Sequence, residues 1–224
     1  MAKQPHTVGS STYERIKRDI IFGTLAPGSK LKLDALKARY SASVSTLRET
    51  LNRLASDGFV AAEEQRGFFV TPVSKEDLLE IASLRALLEC HALRQSIENG
   101  DTEWEGDLVA AHHKLHRMEL MMQSGDESEK ESWKRYDWEF HLALIRACNA
   151  PNLLSLHSKI YDRYLRYQLL VLTFRGEVAA AEHKAMLDAA LARDPDKATQ
   201  LLETHIHNGL THTLEAMQLD SLGQ

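Results

Sequence analysis

The sequence predicts a mainly α-helical protein in two parts: three short helices closed by a two-stranded hairpin, then an all-α antiparallel bundle of about six helices. Three observations carry this. Apolar residues recur at helical spacing along most of the chain, β-prone runs occur only at residues 59–62 and 68–71, and turn-forming residues punctuate every helical stretch. A chain of 224 residues is long enough for one large or two modest domains with real hydrophobic cores.

In the first part, Tyr13, Ile16, Ile20 and Ile21 mark a helix over 11–22 that stops at Gly23, a residue suited to a left-handed cap. Pro27-Gly28 makes a turn, 33–40 is a second short helix, and Ser41 to Ser43 supply a turn and a cap for a third over 44–56. Asp57-Gly58 ends it. The runs Phe59-Val60-Ala61-Ala62 and Phe68-Phe69-Val70-Thr71, separated by Glu63 to Gly67, then read as a hairpin. Three helices followed by a hairpin is the order of a winged helix-turn-helix.

Pro72 closes the hairpin, and Ser74 with Asp77 resembles a capping box, so the boundary is placed between a domain of residues 1–74 and one of residues 75–224. Beyond it no strand signal appears. Helical stretches are expected at 75–98, 103–123, 127–148, 152–175, 177–193 and 195–218, with breaks at Asn99-Gly100, Ser124-Gly125, Asn149 to Pro151, Gly176 and Asp194-Pro195.

The net charge of -5 hides an asymmetry. Residues 1–74 carry 11 Lys and Arg against 7 Asp and Glu, whereas the rest carries 16 against 25. Only the first part is therefore a plausible phosphate-binding surface. Ten of the eleven histidines lie beyond residue 90, which directs the search for metal chemistry to the second part. Cys90 and Cys148 form neither a metal-ligand spacing nor a disulfide framework, and no N-terminal stretch reads as a signal peptide. The longest apolar run, near Leu169 to Leu172, is far short of the ~20 residues that cross a bilayer. A soluble, cytoplasmic protein with no membrane partner is expected.

In a helix-turn-helix the second helix lies in the major groove with its N-terminal side chains at base edges. Here that end carries Ser43, Ser45, Thr46 and Arg48. Arg48 can grip guanine or phosphate through two parallel bonds, and the hydroxyls can donate to phosphates or bases. Arg53 is read as a phosphate contact or a solvent charge. Arg66 and Gly67 make a hairpin tip small and basic enough for a minor groove. The segments IIFGTLAPGSKL, SVSTLRETLNRLASDGFV and QRGFFVTPVS, in that order, closely resemble the winged helix of GntR-type transcription regulators over residues 10–74. The resemblance implies binding to a double-stranded DNA operator, and Arg48 and Gly67 match it. Val44, Leu33 and Asp34 depart from it where members carry arginine or glutamate, so no operator sequence can be carried over.

In the second part Asp137 and His141, four residues apart, fall inside the apolar stripe of Trp133, Tyr136, Phe140, Leu144 and Ala147. His183 shares a face with Ala179, Met186, Leu187 and Ala190, and His205 with Ala198, Leu201 and Leu202. An ionisable group on a buried face needs a partner, and one divalent cation would serve all four. The plainer alternative is four separately satisfied core residues, with Asp137 paired to Arg135 or Arg163. His112, His113 and His116 are expected on the surface.

Residues 75–218 resemble the FCD ligand-binding domain of the FadR-type branch of the GntR family, on the segments DWEFH, AEHKAM and LLETHI. That resemblance implies Asp137, His141, His183 and His205 as ligands of a divalent metal, commonly zinc, with nickel or manganese also suited to such a set. Asn149-Ala150-Pro151 stands where the family has Gly-Asn-Pro. The effector in such a domain is usually a small carboxylate, and Arg85, Arg166 and Tyr167 are the candidates to hold it. The stretches DTEWEGD and MLDAALARD look similar to regulators of glutarate and 2-hydroxyglutarate catabolism. The expected protein is thus a homodimeric repressor released by a small carboxylate, not an enzyme. The alternatives are a metal-dependent hydrolase, or a constitutive DNA-binding factor whose metal is structural.

Overall fold

The computed structural model describes residues 8–125, 130–171 and 175–222. Its contacts group into two compact units, one of Met1–Leu78 with Tyr161–Leu172, the other of Leu79–Ile160 with Thr173–Gln224.

The first unit holds helices α1 (Val8–Ile21), α2 (Leu33–Tyr40) and α3 (Val44–Ser56), then strands β1 (Val60–Glu63) and β2 (Gly67–Val70). The helix α1 begins three residues earlier than its apolar stripe suggests. The expected bounds of α2 and α3 match the structure, and each strand is displaced by one residue from the run that predicts it. Ser43 caps α3 by accepting the Thr46 amide at 3.1 Å, and Ser41 turns the chain with φ 52°. β1 and β2 pair antiparallel, with Val60 opposite Val70 and Glu63 opposite Gly67. Residues 28–31 add to this hairpin: Gly28 N donates to Val70 O, Val70 N to Ser29 O and Leu31 N to Phe68 O at 2.8–2.9 Å. The core is the apolar stripe of α1, Tyr13, Ile16, Ile20 and Ile21, closed by Leu47, Leu51 and Leu54 of α3 and by Phe59 and Val70.

The segment from Tyr161 joins this unit, although the sequence boundary assigns everything after residue 74 elsewhere. Leu169 sits in the same core with Leu165 beside it. Arg163 Nη2 pairs with Asp77 Oδ1 at 2.8 Å, and Lys17 pairs with Asp162.

The second unit is all helical. It is built from most of α4 (Lys75–Asn99), α5 (Thr102–Gln123), α6 (Lys130–Ile145) with a 3-10 turn at Arg146–Cys148, the first half of α7 (Pro151–Val171), α8 (Glu177–Leu191) and α9 (Pro195–Leu222). Residues 127–129 and 172–174 of the expected helices lie outside the described residues. Leu93, Leu108, Leu115, Phe140, Leu144, Met186, Ala190 and Leu202 form the bundle core. Local chemistry sets the joints. Ser74 Oγ accepts the Asp77 amide at the head of α4, Asp101 Oδ1 accepts Trp104 N ahead of α5, and Asp194 Oδ1 accepts Lys197 N at α9. No described helix is long and apolar enough to cross a membrane.

The α4–α5 joint leaves no room for a side chain at Gly100. A Cβ there would lie 2.3 Å from Trp104 Cε3 and 2.7 Å from the Ser96 carbonyl oxygen. Trp104 cannot yield easily, because it is buried and donates its indole N–H to Ala143 O at 2.8 Å. Gly100→Ala should therefore cost about 1–3 kcal/mol, as overpacking does. At roughly 2–4 °C per kcal/mol for a chain of this size, thermal unfolding should show Tm lower by several degrees.

Candidate metal centre and DNA-reading face

In the second unit, α6 carries Asp137 and His141 one turn apart, α8 carries His183 and α9 carries His205. All four are buried, and one ligand atom from each lies within 4.8 Å of the others. The imidazole rings crowd one another: the His183 and His205 centroids are 4.6 Å apart, and those of His141 and His205 5.2 Å. His183 Nε2 makes no hydrogen bond among the described residues, with Asp137 Oδ1 at 3.4 Å. A buried nitrogen so placed suits a cation. Ligands of one ion at ~2.1 Å lie at most ~4.2 Å apart, so the cluster needs only a small contraction.

The charges around the cluster are paired. Burial alone would raise the Glu89 carboxyl, but Arg85 and the His141 imidazole outweigh it and hold Glu89 well below the usual range. Asp137 is likewise held low against its burial, with Lys134 and His183 responsible. Burial pushes His141 and His205 down, toward the neutral form that binds metals. His183 differs: burial is outweighed by Asp137 and Glu119, and its pKa is raised. Asp137 does not pair with Arg135, which faces Glu139, or with Arg163, which holds Asp77. Its cation is Lys134, at 3.6 Å.

Of the three residues expected to hold an effector, Arg85 is at the cluster. Its guanidinium donates to Glu89 at 2.6 Å, and Nη2 lies 3.2–3.3 Å from both ring nitrogens of His141. Arg166 and Tyr167 are not brought there. They belong to the first unit, where Arg166 donates to the Thr71 carbonyl, and Tyr167 donates to Asp77 Oδ2 at 2.6 Å and accepts from Ser74 N. Burial, with the Asp77 bond, raises the Tyr167 hydroxyl to about 12. Arg175 and Lys134 are cluster cations that the sequence pattern does not single out. Nor are the three acids that contact the histidines, Glu89, Glu119 and Glu182, among the residues expected there. Glu119 had a visible signal, since it continues the buried stripe of Leu108, Ala111 and Leu115 on α5.

His112, expected on the surface, is buried edge-on to Phe140 with ring centroids 5.5 Å apart, while His116 stays half exposed. The reason is that α5 buries two neighbouring rows, so its hydrophobic stripe understates its packed face.

On the first unit, Ser45 and Arg48 of α3 are exposed and Thr46 is partly covered. Ser43 is exposed as well, but its hydroxyl is engaged, accepting Thr46 N and lying 2.8 and 2.9 Å from the Ser45 and Thr46 hydroxyls. Val44 is also exposed, as nothing in the core requires. Arg48 and residues Ala62 to Gln65, Gly67 and Phe68 of the hairpin line one concavity. Gly67 opens β2 at φ 96°. Arg66 is exposed, paired with Glu63 and set over the Phe69 ring at 5.4 Å. Arg53 is exposed, with its guanidinium over the Tyr13 ring at 4.5 Å.

A helix-turn-helix with a hairpin wing, followed by a helical bundle with a buried Asp and His cluster, defines a class: DNA-binding transcription regulators with a sensory domain. The profile of bacterial regulatory proteins of the gntR family matches residues 9–70, and that of the FCD domain matches residues 80–208. The chain belongs to the GntR family and carries an FCD domain. It is similar to the uncharacterized HTH-type transcriptional regulator BphR of Paraburkholderia xenovorans, with 37% identity over 90% of this chain and 83% of that protein. It is also similar to the HTH-type transcriptional repressor GlaR of Escherichia coli, with 32% identity over 92% and 95%. Among solved structures, E. coli McbR/YncC shares the fold, with a TM-score of 0.79 at 20% identity over 93% of this chain and 98% of that one. These relatives are named as transcription regulators, not enzymes.

The setting of His112 gives a pH prediction. Burial pushes it down to about 4, the Glu119 charge only partly opposing. Between an unfolded value of ~6.5 and about 4, the unfolded chain binds a proton that the folded one does not. Stability is thus unaffected by this group above pH 7 and falls as pH drops toward 4. Urea unfolding of wild type and His112→Leu at pH 7.5 and 4.5 should show the variant gaining relative to wild type at the lower pH.

Proposed function

We propose that the chain is a homodimeric repressor that reads a roughly two-fold symmetric operator and is released by a small carboxylate bound at a divalent metal ion. One observation carries this reading: a buried set of three imidazoles and one carboxylate, with an arginine against it, in a chain that also presents a DNA-reading helix. Asp137, His141, His183 and His205 would hold the metal. The donor set fits zinc first, and nickel or manganese also. When bound, the ion supplies a positive centre on which a carboxylate can complete the coordination. Arg85 holds the far end of the ligand, trading its bond to Glu89 for one to the effector.

On the DNA side, Arg48 with Ser45 and Thr46 contacts the major groove, and Ser43 sets the start of that helix. The wing tip, Arg66 and Gly67, follows the minor groove. Repression accords with the similarity to GlaR, which is named as a transcriptional repressor. The resemblance to regulators of glutarate and 2-hydroxyglutarate catabolism points to a C5 dicarboxylate as effector. Release requires that the ligand bind the two states of the protein with different affinity. The alternative of a purely structural metal is favoured by the density of ion pairs around the cluster, which leaves few donors unengaged.

Two measurements test these roles. Arg48→Ala should weaken operator binding at fixed salt by the ~1–3 kcal/mol of a bidentate contact, read by fluorescence anisotropy, with unchanged Tm. Metal-loaded protein should gain Tm with glutarate or 2-hydroxyglutarate, by about 2.7 kcal/mol of stability at a hundredfold excess over Kd, and His141→Ala should abolish the gain. Stabilisation by zinc alone, with no shift from any carboxylate, would assign the site to structure.

A further inference from the structure

Each of the three cluster histidines is bonded to a glutamate from another part of the bundle, and always through the same nitrogen. His141 Nδ1 lies 2.9 Å from Glu89 Oε2, joining α6 to α4. His183 Nδ1 lies 2.6 Å from Glu119 Oε1, joining α8 to α5, and His205 Nδ1 lies 2.7 Å from Glu182 Oε2, joining α9 to α8. Glu182 serves His205 and not its sequence neighbour His183, which is served by Glu119. A carboxylate only accepts, so Nδ1 carries the proton in each pair, and the Arg85 and Arg175 Nη2 atoms, 3.2 and 3.1 Å from His141 Nδ1 and His205 Nδ1, do not donate there. Arg85 Nη2, 3.3 Å from His141 Nε2, has to give way to an ion. In a neutral ring Nε2 then holds the lone pair.

His157 supplies the contrast. It is as deeply buried and also bonds Glu89, but through Nε2 at 2.7 Å, and it is not among the clustered ligands. Satisfying a buried histidine therefore does not require Nδ1. The uniform choice at His141, His183 and His205 is tied to the cluster.

We infer that Glu89, Glu119 and Glu182 are positioning residues that fix the ligand tautomer, presenting the three Nε2 atoms to one ion. This rests on the proposed metal site and extends it to residues that never touch the ion. Such outer partners orient the ring and raise its basicity as a ligand. Their side duties differ. Glu89 also holds Arg85 and His157, Glu182 also accepts from Arg175 Nη2 at 2.8 Å and Asn208 Nδ2 at 2.7 Å, whereas Glu119 Oε2 has no hydrogen-bond partner among the described residues. Glu119 is the cleanest place to ask the question.

The test measures zinc affinity of the full chain by competition with a chromophoric chelator, for wild type, Glu119→Gln and Glu119→Ala. The histidine tautomers of the zinc-loaded proteins are read by 15N NMR. Glu119→Gln keeps an acceptor for the ring but loses the charge, and Glu119→Ala loses both. Zinc binding should weaken about 10–100-fold, more for Ala than for Gln, and the His183 signal should leave the Nδ1–H form in the Ala variant. Glu182→Gln, at the least buried of the three acids, repeats the test where Glu119→Ala fails to fold. Wild-type affinity in all the variants, with wild type itself binding zinc, overturns the positioning role alone. Failure of wild type to bind zinc overturns the metal site, and this inference with it.

Discussion

The helical bundle is organised around a charge problem. Arg85, Glu89, Glu119, Lys134, Asp137, His141, His157, His183 and His205 are all buried. Taking such groups out of water is expensive, and each is tolerable only while its partners stay in place. The apolar residues that surround them, Phe140 foremost, fix the helices at distances where those partners meet. Removing one member of such a pair typically costs about 3–5 kcal/mol, because the other is left buried alone. The network therefore specifies one arrangement of six helices more strictly than hydrophobic packing would. It does so by joining segments far apart in sequence.

Much of this was legible in the chain itself. Period and punctuation set the helices, because each is amphipathic and each break carries a turn or capping residue. The four clustered side chains were legible for a related reason, since an Asp or His inside an apolar stripe has to be satisfied by something. Their supporting acids were harder to see. Nothing in the sequence pattern singles out Glu89 or Glu182, and only the fold brings them to His141 and His205. Arg166 and Tyr167 show the opposite case. An arginine beside a tyrosine suggests a carboxylate grip, but both side chains serve backbone and Asp77 in the first unit.

The first unit shows the same division between local and long-range information. Ser43, Ser41 and Gly67 act through their own backbone neighbourhood, and the sequence displays them. The pairing of residues 28–31 with the hairpin and the place of Leu169 in the core depend on segments that meet only in the folded chain. A helix that reads as a continuous amphipathic stretch, α7, divides its side chains between two cores. No periodicity announces such a division, because apolar residues continue at helical spacing through both halves, Leu153 and Leu154 in the first and Leu165 and Leu169 in the second.

The hairpin tip has its own consequence. Its one cation, Arg66, is paired with Glu63 and lies over Phe69, and Glu64 adds a further negative charge. On nucleic acid each cation that neutralises a phosphate releases counterions and steepens the dependence of affinity on salt. An arginine that is exposed yet paired to Glu63 gives up that partner to reach a phosphate, which offsets part of what it adds to the slope. On the proposed reading, the salt dependence of operator binding then rests more on Arg48 than on the wing.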